Sequence, residues 1–122
     1  MIDLQNVTVD FDGFKAVDDV SLKVSKNDIY GIVGFSGAGK STLVRTINLL
    51  QKPTAGKVIV NGENLLDLKA GDLRARRKNI GMIFQHFNLL NNITVLENVI
   101  FPIRKLKISR QEKEAKAKKL LS

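Results

Sequence analysis

The stretch Gly34-Phe35-Ser36-Gly37-Ala38-Gly39-Lys40-Ser41 decides how this chain folds. It matches the spacing G-x-x-x-x-G-K-S/T at every specified position. The apolar run Ile29–Val33 just before it predicts a strand that is buried on both faces. After it, Leu43, Ile47 and Leu50 recur at helical spacing and predict a helix that starts where the stretch ends. A strand, a glycine-rich turn and a helix in this order predict an α/β fold.

The residue types of this stretch suit one chemical task, which is to hold crowded phosphate groups. Glycines let the backbone curl so that successive N–H groups point inward around an anion. In such a loop the Lys40 ammonium reaches the outer phosphates, and the Ser41 hydroxyl completes the shell of a Mg²⁺ ion. The sequence therefore predicts a nucleoside triphosphate site made of Gly34, Phe35, Ser36, Gly37, Ala38, Gly39, Lys40, Ser41 and Thr42.

The first 25 residues have a different pattern from the strand before the loop. Apolar residues alternate over 7–11 and again over 20–24, as in strands with one buried face. Asp12-Gly13 is a turn signal between these two segments. Ile2 and Leu4 are out of phase with Val7, which indicates a bulge near Asn6. The sequence predicts an antiparallel hairpin here.

Further elements follow the loop and its helix. Val58–Val60 predicts a strand that a turn closes, Ile80–Phe84 predicts a second apolar strand, and Asp72–Arg77 predicts a short exposed helix. Capping boxes at Thr94–Glu97 and Ser109–Glu112 predict the starts of two more helices.

Composition excludes several classes of protein. The 122 residues contain no cysteine and one histidine, His86, so disulfide frameworks, thiol nucleophiles and multi-histidine metal sites are excluded. No apolar run approaches the roughly 20 residues that span a bilayer, and the N-terminus does not have the pattern of a signal peptide. We therefore expect a soluble, cytoplasmic chain.

The net charge of +8 is concentrated at the end of the chain. Residues 104–122 hold 8 of the 20 basic residues but only 2 of the 12 acidic ones. A basic segment of this kind leaves an alternative open, in which the chain is a nucleotide- or nucleic-acid-binding module that works through this tail. The segment has no interleaved aromatic residues, so a solvated helix face is the preferred interpretation, and nucleic acid is not the expected partner.

In its motifs the chain resembles the ATP-binding subunits of ABC transporters. Gly34–Ser41 is similar to their Walker A loop, Ile80–Gln85 to their Q-loop strand, and the opening block Leu4–Leu22 to their N-terminal β-subdomain. Gly81–Leu90 and Arg45–Leu50 resemble the bacterial methionine-importer subfamily in particular, although polar-amino-acid importers share much of this.

The resemblance implies a fold and its division. It implies a P-loop NTPase core of the ABC ATPase type with an N-terminal antiparallel β-subdomain. Residues 1–85 correspond to the first part of the nucleotide-binding domain, and 86–122 to the start of the helical subdomain. An apolar strand ending in Asp-Glu, a Ser-Gly-Gly signature after Gln85 and a switch histidine are not found, so we expect the C-terminal half to be absent.

The resemblance also implies roles for single residues. Phe11 lies where the family places an aromatic ring on adenine, whereas from its pattern alone it could simply end a core strand. Gln85 would sense Mg²⁺ and the γ-phosphate, so that Lys40 and Gln85 serve catalysis and Ser41 and Gln85 the metal. His86 is not at the position of the switch histidine, and no acidic residue that would orient it is evident, so we expect no catalytic role.

For the whole protein, the resemblance implies an ATPase that energises import of methionine or another amino acid. Two subunits would sandwich ATP, and residues 87–98 would face the transmembrane permease at the inner surface of the cell membrane. We expect residues 1–122 alone to bind ATP and Mg²⁺ without hydrolysing ATP. A core strand without its missing neighbour would also expose an apolar edge, which predicts poor stability for this segment.

Overall fold

The computed structural model describes all 122 residues, which form two units, Met1–Gly81 and Met82–Ser122. The first unit begins with the predicted hairpin, formed by β1 (Ile2–Phe11) and β2 (Phe14–Val24). Asp12 and Gly13 make the turn with φ angles of 50° and 94°. The register shifts between Leu4 and Val7, where Asn6 has a φ of 49°, so the predicted bulge is confirmed.

Two more strands complete an antiparallel sheet in the order β2-β1-β3-β4. β3 (Ala55–Val60) pairs with β1, and the short β4 (Glu63–Asn64) pairs with β3. The unit also contains α1 (Lys40–Thr46), a 3₁₀ turn at Leu65–Asp67 and α2 (Ala70–Arg77). The strand predicted at 58–60 and the helix predicted at 72–77 are therefore confirmed.

A small apolar core joins this sheet to α1. Alternate residues of β1 point to one face, where Val7 and Val9 are fully buried. The core also contains Leu43 of α1 and Val58 of β3, together with Leu4, Val17, Leu49 and Leu65. The buried row on β1 thus faces the helix that follows the glycine-rich loop.

The two apolar runs at Ile29–Val33 and Ile80–Phe84 do not form strands, so this expectation was wrong. Ile29, Val33 and Ile83 are almost completely exposed. A strand buried on both faces needs neighbours at its edges, and no strand of this chain pairs with either run. Both runs therefore leave apolar side chains in solvent, as the sequence predicted for a core strand without its neighbour.

Helix α1 is shorter than its apolar spacing predicted. It ends at Thr46, and Leu49 takes a φ of 53°, so Leu50 leaves the buried face and is exposed. Arg77 of α2 closes this end: its Nε donates to the Asn48 carbonyl oxygen at 2.7 Å and its Nη2 to that of Leu49 at 2.6 Å. The planar guanidinium thereby holds two carbonyls of the turn that follows the helix.

The second unit is helical. It contains α3 (Val95–Ile100), a 3₁₀ turn at Phe101–Ile103 and α4 (Arg110–Leu121). Both predicted capping boxes are formed, with Thr94 and Glu97 at the start of α3 and Ser109 and Glu112 at the start of α4. None of the helices combines the length and the apolar character that crossing a membrane requires.

Candidate functional site

The glycine-rich loop curls in the way that its spacing predicts. Gly37 and Gly39 have φ angles of 81° and 84°, in the left-handed region that L side chains rarely adopt. The Ala38 N–H donates to the Phe35 carbonyl oxygen at 3.2 Å, which closes the turn. The residues between Gly34 and Ala38 are exposed, so the loop is open to a ligand from solvent.

The Lys40 ammonium lies over this loop. Its Nζ donates to the carbonyl oxygens of Gly34 and Phe35, at 2.6 Å each. A cation held by two neutral carbonyls gains further attraction from an anionic oxygen, because opposite full charges attract more strongly than a charge and a dipole. The geometry keeps the Lys40 ammonium at the loop.

A bulge in β2 fixes the loop against the sheet. Val9 pairs with Val17 and Asp10 with Lys15, so Ala16 is the extra residue on β2. A Cβ atom on Gly39 would overlap the Ala16 carbonyl oxygen and would lie 3.6 Å from Cγ2 of Val17. Only glycine allows this approach, which brings the loop onto the hairpin.

The helix that follows presents polar groups at the loop. Gly39 is the N-cap residue of α1 and its carbonyl oxygen accepts from the Leu43 N–H at 2.8 Å, while the N–H groups of the first turn have no partner within the helix. The Ser41 side chain is exposed there and that of Thr42 is half-buried. The structure thus brings together the nine predicted residues 34–42 as one continuous surface.

Two aromatic rings lie at the tip of the hairpin. Phe11 ends β1 and is 47% exposed, and its cross-strand partner Phe14, which starts β2, is 66% exposed. Sequence reasoning selected Phe11 and missed Phe14. The signal was available, because a two-residue turn at Asp12-Gly13 puts residues 11 and 14 directly opposite each other.

Two open cavities of the first unit have charged side chains in their walls. One, of about 170 Å³, lies between β2 and the loop, and Ala16, Val17, Lys40 and Leu43 contribute to its walls. The other, of about 290 Å³, is lined by the Glu63–Arg76 ion pair and its neighbours and contains none of the predicted site residues. The Arg76 guanidinium lowers the pKa of the Glu63 carboxyl through their hydrogen bond. The smaller cavity is the one that adjoins the predicted site.

Gln85 and His86 belong to the second unit, and both are exposed. The predicted position of Gln85 beside Ser41 stays a prediction. No cluster of three or more His, Asp or Glu side chains that could hold a metal ion occurs in the chain. The hydroxyl of Ser41 is nevertheless a suitable ligand, since Mg²⁺ is commonly bound by one or two protein oxygens together with those of a phosphate.

Comparison with known proteins gives the family. Residues 17–122 match the family described as ABC transporter. The methionine import ATP-binding protein MetN of Lactobacillus johnsonii is 58% identical over 98% of this chain, and MetN 1 of Lactiplantibacillus plantarum is 55% identical over 99%. The chain spans about 36% of the first relative and 35% of the second.

Solved structures show the same fold. A dimeric post-hydrolysis state of the ATP-binding cassette MJ0796, bound to ADP and Pi, superposes on 98% of this chain with a TM-score of 0.89 and 35% identity. A second dimeric structure of MJ0796, described as a bacterial ABC transporter cassette, superposes on 94% of this chain with a TM-score of 0.88 and 36% identity. This chain covers 55% of the first MJ0796 chain and 53% of the second. With its family match, its relatives and its fold in agreement, the chain belongs to the ABC transporter family, and its fold is that of the family's ATP-binding cassette.

Proposed function

We propose that this chain is the ATP-binding part of the energy-coupling subunit of an amino-acid importer. The observation that carries the proposal is the placement of the Lys40 ammonium over a curled loop that is open to solvent. The similar MetN proteins are methionine import ATP-binding proteins by name, which makes methionine the preferred substrate of the transporter.

The loop residues divide the work of holding a triphosphate. The backbone N–H groups of the loop and of the first turn of α1 surround the phosphates, and Lys40 moves from the carbonyls of Gly34 and Phe35 to phosphate oxygens. Ser41, with Gln85, would hold a Mg²⁺ ion, which supplies charge neutralisation on the phosphates. Thr42 offers a further hydroxyl close to the loop.

The hairpin provides a place for the base. Phe11 is the last residue of the row that packs against α1, and its ring is half-exposed. An aromatic face of this kind can stack on adenine, and base–aromatic stacking contributes about 1–3 kcal/mol per base. We assign Phe11 to the adenine on this ground.

The activity of the whole protein is ATP hydrolysis coupled to import. Residues 1–85 form the first part of the nucleotide-binding domain, and 86–122 begin its helical subdomain. The segment after Gln85 contacts the permease at the inner face of the membrane, and two ATP-binding subunits assemble around the nucleotide. The residues that would activate water are not among these 122, so this segment alone binds ATP and Mg²⁺ without turnover.

Substitution of Lys40 in the full-length protein, of which these 122 residues would be a part, tests this proposal. Lys40→Ala should abolish ATP hydrolysis and the uptake of labelled methionine by cells that depend on this transporter. Unchanged hydrolysis and uptake in that variant would show that the loop does not bind the nucleotide that drives transport.

A second substitution separates binding from coupling. Gln85→Ala should leave the affinity for ATP close to that of the unmodified protein while it lowers the transport rate. Loss of ATP affinity equal to that of Lys40→Ala would contradict the role of Gln85 as a coupling residue.

A further inference from the structure

An exposed aromatic ring ends the core-facing row of β1. Val7, Val9 and Phe11 occupy alternate positions of β1, and the register shifts between them place their extra residues on β2, so the three side chains lie on one face of the sheet. The first two are completely buried, whereas Phe11 is 47% exposed. The core face therefore continues beyond the core as a half-exposed aromatic surface.

Phe14 doubles this surface. It pairs with Phe11 in the register of the hairpin, so both rings are on the same face. Directly opposite residues have Cβ atoms about 4.5–5.5 Å apart, close enough for one flat ligand to contact both rings. With 66% of its surface exposed, Phe14 contributes little to the core and has most of its ring available.

Side-chain hydrogen bonds brace the tip that carries these rings. The Gly13 N–H donates to Oδ1 of Asp10 at 2.7 Å, which closes the two-residue turn. On the opposite face, the Lys15 ammonium donates to Oδ1 of Asp18 at 2.9 Å. A tip ordered before binding loses little conformational entropy when a ligand arrives.

The same face leads from the rings to the phosphate-binding loop. Val17 pairs with Val9, so it shares the face of Phe11, and its side chain lies against Gly39. Phe14 lies three residues before Val17 on β2. Because Ala16 between them is the extra residue of the bulge, Phe14 is about 7–10 Å further along the strand. A nucleotide with its phosphates on the loop and its base directed along β2 reaches both rings.

We propose that Phe14 is a second base-contacting residue, which covers the edge of an adenine stacked on Phe11. The inference rests on the proposed function, because it needs a triphosphate on the loop. Phe14 offers no hydrogen-bonding group, and stacking is tolerant of base identity. The two rings therefore strengthen binding of any purine nucleotide and discriminate poorly between ATP and GTP.

Binding measurements on the full chain test this inference with three probes: Mg·ATP, Mg·GTP and Mg·tripolyphosphate, which has no base. Phe14→Ala should weaken both nucleotides by about three- to tenfold, the range expected for one aromatic contact, and leave tripolyphosphate unchanged. Phe14→Tyr keeps the ring and should bind ATP as the unmodified chain does. Lys15→Ala, at the neighbouring position on the opposite face, is the matched control and should also leave all three affinities unchanged.

Each other outcome overturns the inference in a recognisable way. If Phe14→Ala binds ATP normally while Phe11→Ala does not, Phe14 makes no base contact, and the proposed function stands. If Phe14→Ala weakens tripolyphosphate equally, it acts on the loop instead of the base. If the unmodified chain binds none of the probes, the proposed function itself fails. If Phe14→Ala lowers the melting temperature, the affinities for the three probes are measured with Phe14→Leu instead, which keeps an apolar side chain without the ring. The same outcomes then support or overturn the inference.

Discussion

Gly39 of the glycine-rich loop lies so close to Ala16 of β2 that a Cβ atom on the glycine would overlap the alanine carbonyl oxygen. Ala16 is the extra residue of a β-bulge, so the loop contacts β2 at the irregular position of that strand. Bulges often re-aim backbone groups next to functional sites. Here the contact joins the hairpin that carries the aromatic rings to the loop that carries Lys40.

This contact predicts unequal effects of alanine at two similar glycines. Gly37 and Gly39 both have φ near +80°, so alanine at either costs about 1–2 kcal/mol of backbone strain. Only Gly39→Ala also displaces the Ala16 carbonyl, because nothing lies within 4 Å of a Cβ on Gly37. Urea unfolding should therefore show an additional loss of about 1–3 kcal/mol in the free energy of unfolding for Gly39→Ala. Equal losses for the two variants would contradict the contact.

Arg77 is predicted to stabilise the end of α1. Arg77→Lys removes the planar fork that reaches the Asn48 and Leu49 carbonyls together, and a lysine can replace one of these hydrogen bonds at most. The expected loss in the free energy of unfolding is about 2 kcal/mol. Arg74→Lys on the exposed surface of the same helix is the control and should change stability by less than about 0.5 kcal/mol. A loss no larger than that of the control would mean that the guanidinium does not support α1.

The capping box of α4 makes the start of this helix sensitive to acid. Hydrogen bonds from the backbone N–H and the hydroxyl of Ser109 lower the pKa of the Glu112 carboxyl below its ordinary value of 4.5. Because the pKa is lowered on folding, the stabilisation is fully present above pH 4.5 and is lost as the pH falls through the lowered value.

Amide hydrogen exchange at the start of α4 measures this effect. The Glu112 N–H, which donates to the Ser109 hydroxyl, should lose protection between pH 6 and pH 3 after correction for intrinsic exchange rates. Glu112→Gln keeps the shape of the side chain but cannot titrate, so its protection should depend less on pH. The same pH dependence in both proteins would assign the effect to other carboxyls.

Local sequence signals predicted the parts of the fold whose interactions are local. The hairpin turn at Asp12-Gly13, the capping boxes at Thr94 and Ser109, and the loop at 34–42 each depend on residues within a few positions of one another. The strands at Ile29–Val33 and Ile80–Phe84 were predicted wrongly, because an apolar run forms a strand only when another strand is present to pair with it.

The contributions that sequence reasoning missed depend on distant pairs. Arg77 meets Asn48 across 29 positions, and no motif marks an arginine in an exposed helix as a partner for another helix end. The pairing of Phe14 with Phe11 could be predicted from the hairpin turn between them, but the approach of Gly39 to β2, which brings the loop onto the hairpin, could not. Such pairings become visible once the strands are aligned and the loop is placed against them.

The central claim is that Lys40 over the curled loop binds the phosphates of ATP, and calorimetric titration of Mg·ATP into the full chain tests it most directly. Lys40→Ala should weaken binding by about ten- to a hundredfold, since the lost hydrogen bonds join a cation to anions. Lys116→Glu, which reverses a charge in the basic segment 104–122, should bind Mg·ATP as the unmodified chain does. Normal affinity in Lys40→Ala, or a loss confined to Lys116→Glu, would contradict the account and favour a binding role for the basic segment instead.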